Sequence, residues 1–374
     1  MTLAKIQDNI AAVLYGSHDL RMERRPINLP QPGEVQVHIK ATGICGSDLH
    51  YYKNGSMGPR RLDESKSMVL GHESAGIITL LGENVTSFKV GDHVVIEPGR
   101  ACSMCPSCRQ GRYNLCPKMK FSSSLMQGPN DGTLCRYACF PENLCHLMPE
   151  QMSFDDGALI EPLSVAVHAV ERTPLKVGSS VNVFGAGPVG LLTAAVALAK
   201  GAVSCVIFDI DQTRLDFAKN YLKGNVKIVL LPKKKFRDAD EMIEWVQKKS
   251  IELGYDPDTD CDTFADVVFE CTGSAECIMF SVYVAQRGGT VMLIGLGQDK
   301  VLLPTDIITT KEVDLRGNFR YANVHKMAIA LAAQGLVNLS PLISHRFRLE
   351  EAIEAFTMAG SGGDRTIKVI ITDM

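Results

Sequence analysis

At 374 residues the chain has length for two domains of ~150 residues rather than one small module. Its 45% hydrophobic and 22% charged residues are the balance of a chain that buries a large core, which excludes extensive disorder. Against 42 Asp and Glu stand 39 Lys and Arg, a net charge of −3, so no basic excess exists to neutralise phosphates. A small molecule is therefore the expected ligand, not nucleic acid or an anionic membrane.

The N-terminus lacks the apolar stretch and cleavage site of a secretory signal. The longest nearly apolar run, 186–199, is short of the ~20 residues that span a bilayer. A soluble cytoplasmic protein is expected. In chain order, 34–41 reads as a half-buried strand, with Val35, Val37 and Ile39 alternating with polar residues. Short apolar runs at 76–81 and 93–96 continue a β-rich first third. From about 181 the pattern changes to apolar strands at 181–184, 204–210, 227–231, 265–270 and 289–294, separated by helix-length stretches. That alternation predicts an α/β fold with a parallel sheet and helices on both faces. Within it, 232–262 reads as an insertion: Asp238, Asp240, Glu241 and Glu244 lead a helix, Lys248 and Lys249 trail it, and Ile243, Val246 and Leu253 space an apolar stripe around Trp245. The run Asp256, Asp258, Asp260 resembles a calcium loop, but Cys261 stands where Gly is needed and Val267 where Glu should chelate, so a solvated acidic loop is expected. Helices near 323–334 and 349–358 and a last strand at 366–372 complete the chain.

Gly185-Ala186-Gly187-Pro188-Val189-Gly190 joins the strand 181–184 to an apolar helix at 189–200. There the first glycine permits the turn, the second lets a pyrophosphate approach the backbone, and the third lets helix pack on strand. Asp209 ends the next strand, where a carboxylate accepts from ribose hydroxyls and repels a 2′-phosphate, so NAD is expected over NADP. Arg214, which can stack on adenine or meet a phosphate, is the complicating neighbour.

Cys102, Cys105, Cys108 and Cys116 form C-x2-C-x2-C-x7-C, four thiolates able to close a tetrahedral structural Zn²⁺ site. A second set is dispersed. Cys45 lies in Thr42–His50, TGICGSDLH, and His72 and Glu73 lie in GHE. Thiolate, imidazole and carboxylate make a catalytic zinc set with a position open to substrate oxygen, and Glu161 is a fourth candidate.

Together, GHE-x2-G-x5-G-x2-V, CGSD, the four-cysteine lobe and GAGPVG resemble the zinc-containing medium-chain dehydrogenases over nearly the whole chain. CGSDLHYY, VLGHESAG, DGTLCRY, ALIEPLSVAVHA, FECTG, GNFRY and HRFRLEEAIEAF resemble the sorbitol and xylitol dehydrogenase group, with fungal L-arabinitol 4-dehydrogenases a close second. Alcohol dehydrogenases carry a cysteine near position 161, where this chain has Glu161.

The resemblance implies a GroES-like β-rich catalytic domain at 1–162 with a structural-zinc lobe at 100–117, a Rossmann NAD-binding domain at 163–316, and a return to the first domain at 317–374. It implies one catalytic zinc on Cys45, His72 and Glu73, with Glu161 as ligand or as partner through water, and one structural zinc per chain. Tyr51, Glu161, Arg320 and Tyr321 would line a polyol site. Val189, Asp209, Arg214, Ile294, Gly295, Leu296, Asn318, Phe319 and Arg320 would contact NAD. The expected reaction converts a secondary hydroxyl to a ketone with hydride transfer to NAD⁺, the proton leaving through Glu161 or through Ser47 and His50. A homo-oligomer, tetramer or else dimer, is implied. The rival readings are an L-threonine or other amino-alcohol dehydrogenase of the same fold, which needs a cation partner for its substrate, and a zinc-stabilised binding protein without activity. Many animal sorbitol dehydrogenases lack the four-cysteine lobe, so the chemistry does not depend on it.

Overall fold

The computed structural model describes residues 8–58, 60–63, 66–256, 264–362 and 366–373. Positions 258, 260 and 261 of the acidic run, and the first seven residues, lie outside that set. The chain forms two compact units, Met1–Glu161 with Ala322–Met374, and Pro162–Tyr321.

In the first unit the strand Glu34–Gly43 is the hub of a seven-stranded sheet. It pairs antiparallel with Glu73–Leu81, with Tyr137–Pro141 and with the final strand Lys368–Thr372. His93–Ile96 and Cys145–Leu147 extend the sheet on one side. Ile343–Arg348 lies beside the final strand, parallel to it. Period-two alternation places Val35, Val37 and Ile39 inward, against Ile78, Val94, Ile96 and Phe140.

In the second unit six parallel strands run in the spatial order Val226–Leu230, Ser204–Asp209, Ser180–Phe184, Ala265–Glu270, Ala285–Leu293, Asp314–Gly317. The order reverses at Ser180–Phe184, so this is the doubly wound arrangement whose crevice opens beyond the carboxyl ends of the strands. Phe184 and Phe208 stack at 4.5 Å in its core beside Phe280. The inserted helix Ala239–Glu252 is N-capped by Asp238, which accepts from Glu241 N–H at 2.9 Å. It buries Met242 and Val246 in the same core, with Ile243, Trp245 and Leu253 packed at the edge. Among the described residues no helix is long and apolar enough to cross a membrane.

Candidate functional site

Antiparallel register builds the first site. Gly43 pairs with Glu73 across the sheet, and Ile370 of the final strand pairs with Gly43 from the other side. Two residues past Gly43, Cys45 serves as N-cap of the helix Gly46–Asn54. Donor atoms of Cys45, His72 and Glu73 thus lie within 4.8 Å of one another, with His72 and Glu73 buried.

The surroundings hold these side chains in place. Asp48 is fully buried and accepts from Ser123 Oγ at 2.6 Å and from the backbone of Cys45 and Gly71 at 3.3 Å. His72 Nδ1 lies 3.4 Å from Asp48 Oδ1, an ion-pair distance rather than a well-formed hydrogen bond, which leaves Nε2 for the thiol or a metal. Burial pushes the Asp48 carboxyl up, but the His72 imidazole and the bonds from Ser123 and Cys45 outweigh it and hold the group below its usual range. Burial likewise pushes His72 down, and Asp48 and Cys45 reverse the sign and raise it well above an ordinary imidazole.

Sequence reasoning missed Lys368. Its ammonium is 4% exposed and donates to Glu73 Oε1 at 2.8 Å, Glu73 Oε2 at 2.5 Å and Ile44 O at 3.1 Å. Burial lowers its pKa, but Glu73, then Cys45, then Glu161 raise it further, so Lys368 stays charged. The available signal was a lysine opening the apolar run KVIIT, which needs a buried counter-charge. The Cys45 thiol, the His72 imidazole and the Glu73 carboxylate give one soft, one borderline and one hard donor side by side, the mixed set that suits a divalent transition ion. Each Glu73 oxygen keeps a second lone pair for such an ion.

Glu161 is 4% exposed, near the start of the helix Ile160–Glu171, and falls outside the 4.8 Å donor group. Ser47 and His50 share one face of the helix Gly46–Asn54, partly buried and exposed respectively, and no hydrogen bond joins them among the described residues. Tyr51 is buried in an apolar cluster with its hydroxyl accepting from Leu125 N–H at 3.2 Å. Cys102, Cys105, Cys108 and Cys116 also bring their sulfurs within 4.8 Å, with Cys105 and Cys108 3.4 Å apart. Backbone N–H groups of Met104 and Cys105 hold the Cys102 thiol down to about 6.

In the second unit Gly185 adopts φ +98°, and a Cβ on Gly190 would strike the Gly185 carbonyl. At Gly187 a Cβ would meet nothing, so open space stands at the N-cap of the helix Pro188–Ala199, which Val189 continues. That is the cradle a pyrophosphate needs. Asp209 clamps the turn, accepting from Ala186 N–H at 2.6 Å and Asp211 N–H at 2.9 Å, and retains lone pairs for ribose hydroxyls. Arg214 is exposed on the following helix, Gln212–Tyr221. Ile294 donates its N–H to Glu270 O at 2.8 Å, Gly295 packs backbone to backbone against Thr272 and Gly273, and Leu296 is 72% exposed. Beyond the last strand Asn318 and Tyr321 are buried, and Arg320, at a strained φ of +51°, lies over the Phe319 ring at 4.8 Å. Glu270 went unnoticed in the sequence. Wholly buried, it accepts from Thr272 and Gly273 N–H and shapes the loop against Gly295.

A catalytic β-unit with a thiol, imidazole and carboxylate set, plus a doubly wound dinucleotide unit, defines a metal-dependent dehydrogenase. Residues 31–150 match the alcohol dehydrogenase GroES-like domain model and 188–334 the zinc-binding dehydrogenase model. The chain is 41% identical to the probable D-xylulose reductase A of Aspergillus clavatus, covering 99% of this chain and 98% of that one. It is 38% identical to the sorbitol dehydrogenase of Gallus gallus, covering 99% of each. A zinc-binding dehydrogenase of Sinorhizobium meliloti, solved bound to NADP, superposes with a TM-score of 0.82 at 27% identity, covering 98% of this chain and all of that one. The chain belongs to the zinc-binding dehydrogenases.

Proposed function

We propose that this dehydrogenase oxidises a secondary hydroxyl of a sorbitol- or xylitol-type polyol to the ketose, giving NADH and a proton. The observation that carries the reading is the convergence of Cys45 with the buried His72 and Glu73 in a chain whose glycine turn is open at Gly187 and closed by Asp209. The names of its relatives, a sorbitol dehydrogenase and a D-xylulose reductase, support the substrate class. Cys45, His72 and Glu73 would hold a zinc ion, which would supply Lewis acidity toward the substrate hydroxyl, and the second unit would hold NAD, which would supply the hydride acceptor.

The chain's own residues do the remainder. Asp48 fixes the His72 ring, and Lys368 balances Glu73. Glu161, outside the donor group, acts through water as proton acceptor; Ser47 and His50 form the other exit. Val189 and Gly190 open the helix that receives the pyrophosphate, Asp209 takes the ribose hydroxyls, and Arg214 flanks them. Ile294, Gly295, Leu296, Asn318, Phe319 and Arg320 are the remaining NAD contacts of this reading, and Tyr51, Glu161, Arg320 and Tyr321 its polyol contacts. The four-cysteine lobe holds the structural zinc. Self-association as a tetramer or dimer belongs to the same reading and is read by light scattering.

The test is NADH formation at 340 nm over sorbitol, xylitol, L-arabinitol, ribitol, threonine and ethanol. Polyols should lead the panel, and a preference for threonine or ethanol would overturn the reading. Cys45→Ser should lower turnover at least about a thousand-fold, the scale of several kcal/mol of lost Lewis-acid stabilisation, while NAD binding persists.

A further inference from the structure

A third donor cluster lies in the first unit and takes no part in the reaction above. Glu97 follows the strand His93–Ile96, His146 lies on its antiparallel partner Cys145–Leu147, and His325 opens the helix His325–Ala333 of the C-terminal return. Their side chains are 4%, 14% and 1% exposed. One carboxylate oxygen, Glu97 Oε2, lies 2.9 Å from His146 Nε2 and 3.3 Å from His325 Nδ1, and one donor atom from each residue lies within 4.8 Å of the others. The two imidazoles stack at 4.9 Å with their planes 12° apart.

We propose that Glu97, His146 and His325 form a third metal site that takes a divalent transition ion such as Zn²⁺. Four features carry the assignment. Tetrahedral bonds of 2.0–2.2 Å to nitrogen and oxygen set donor-to-donor edges of about 3.3–3.5 Å, so the observed 2.9 and 3.3 Å need only tenths of an ångström of expansion to seat an ion. Two imidazoles and one carboxylate suit zinc, nickel or copper and not calcium or magnesium, which want oxygen ligands. The carboxylate is already oriented: Tyr113 Oη donates to Glu97 Oε1 at 2.6 Å and itself accepts from Asn323 N–H at 2.7 Å, the outer support that ligating carboxylates require. Finally, all three residues line a cavity of about 630 Å³, which gives an ion a path in and leaves room for water as a further ligand. A hydrogen-bonded carboxylate and imidazole pair would account for His146 alone. It gives no reason for a second, nearly inaccessible imidazole on the same oxygen. An ion there would clip the C-terminal return, through His325, to the sheet formed by the N-terminal third.

The experiment is a zinc inventory on the full chain. Protein stripped with dipicolinate is titrated with Zn²⁺ alone, desalted and analysed for metal, beside His325→Gln and His146→Gln. Each variant should hold one equivalent fewer than wild type, its weakest equivalent losing at least about a hundred-fold in affinity. The cobalt-substituted variants should keep the sulfur-to-cobalt charge-transfer bands of the wild type, because those bands report the cysteine sites only. His146→Gln, at the more accessible position, secures the test if His325→Gln does not fold. Variants that bind as much zinc as wild type would overturn the assignment. Failure of the Cys45 site would instead appear as lost charge-transfer intensity in the wild type.

Discussion

Lys368 and Glu73 are separated by 295 positions, yet share an ion pair in which neither side chain is more than 4% exposed. Removing one partner of such a pair leaves a bare charge in the interior, at a cost of about 3–5 kcal/mol. Lys368→Met should lose that much stability in urea denaturation and should also retain less zinc, because the Glu73 carboxylate loses the group that holds it. Unchanged stability would show that water reaches Glu73 and that the pair is dispensable. Asp209 makes a separate prediction. It both clamps Ala186 N–H and is assigned the ribose, so Asp209→Ala should raise the KM for NAD roughly 10–100-fold, the size of a lost charged hydrogen bond. NADP turnover should be untouched or improved. Steady-state kinetics with both cofactors reads the difference, and equal losses would mean that Asp209 serves only the turn. The grouping of Cys45 with His72 and Glu73, and the glycine turn, were legible from residue type and local spacing. Asp48, Lys368 and the pairing of Glu97 with His146 and His325 were not, because the contacts that define them come from strand register and long-range closure.

At the scale of elements, the strands were legible wherever apolar alternation or a buried run had clear ends. His93–Ile96 and Ala265–Glu270 coincide with the expected spans, while Glu73–Leu81 starts three residues earlier than expected at 76, because pairing with Gly43 extends the ladder beyond the apolar run. The inserted helix was expected to carry an apolar stripe of Ile243, Val246 and Leu253 around Trp245, and its Val246 is wholly buried in the core of the second unit. The final strand is fastened by a charge cluster that local pattern does not reveal. Asp373 accepts from Arg136 Nε at 2.8 Å, lies 2.8 Å from His38 Nε2, and is 9% exposed. Burial opposes its ionisation, but His38 and Arg136 prevail and hold it at about 2. A depressed carboxylate contributes stability above its unfolded pKa and loses it as pH falls through the folded one. Asp373→Asn should therefore cost about 2 kcal/mol at neutral pH, with the gap to wild type constant above pH ~5 and closing between ~4 and ~2. Urea titrations across that range measure it, and a gap independent of pH would remove the charge cluster from the account.

For the whole molecule, the division of labour follows from which residues each unit contains. The unit Met1–Glu161 with Ala322–Met374 holds every proposed metal ligand, and Pro162–Tyr321 holds the dinucleotide turn. The change from antiparallel to parallel strands was legible as a change in hydrophobic pattern near 181. The return of the C-terminal segment to the first unit was not legible from pattern, because a strand such as Lys368–Thr372 names no partner until its register with Glu34–Gly43 is seen. In the proposed reaction an ion gripped by Cys45, His72 and Glu73 makes a polyol hydroxyl reactive toward NAD. The most direct test is the rate of NADH formation from xylitol and sorbitol by protein stripped of metal, before and after one Zn²⁺ is restored to the Cys45 site. Stripping should abolish activity and zinc should restore it in wild type but not in Cys45→Ser; full activity in protein that elemental analysis finds free of metal would refute the ion's proposed role.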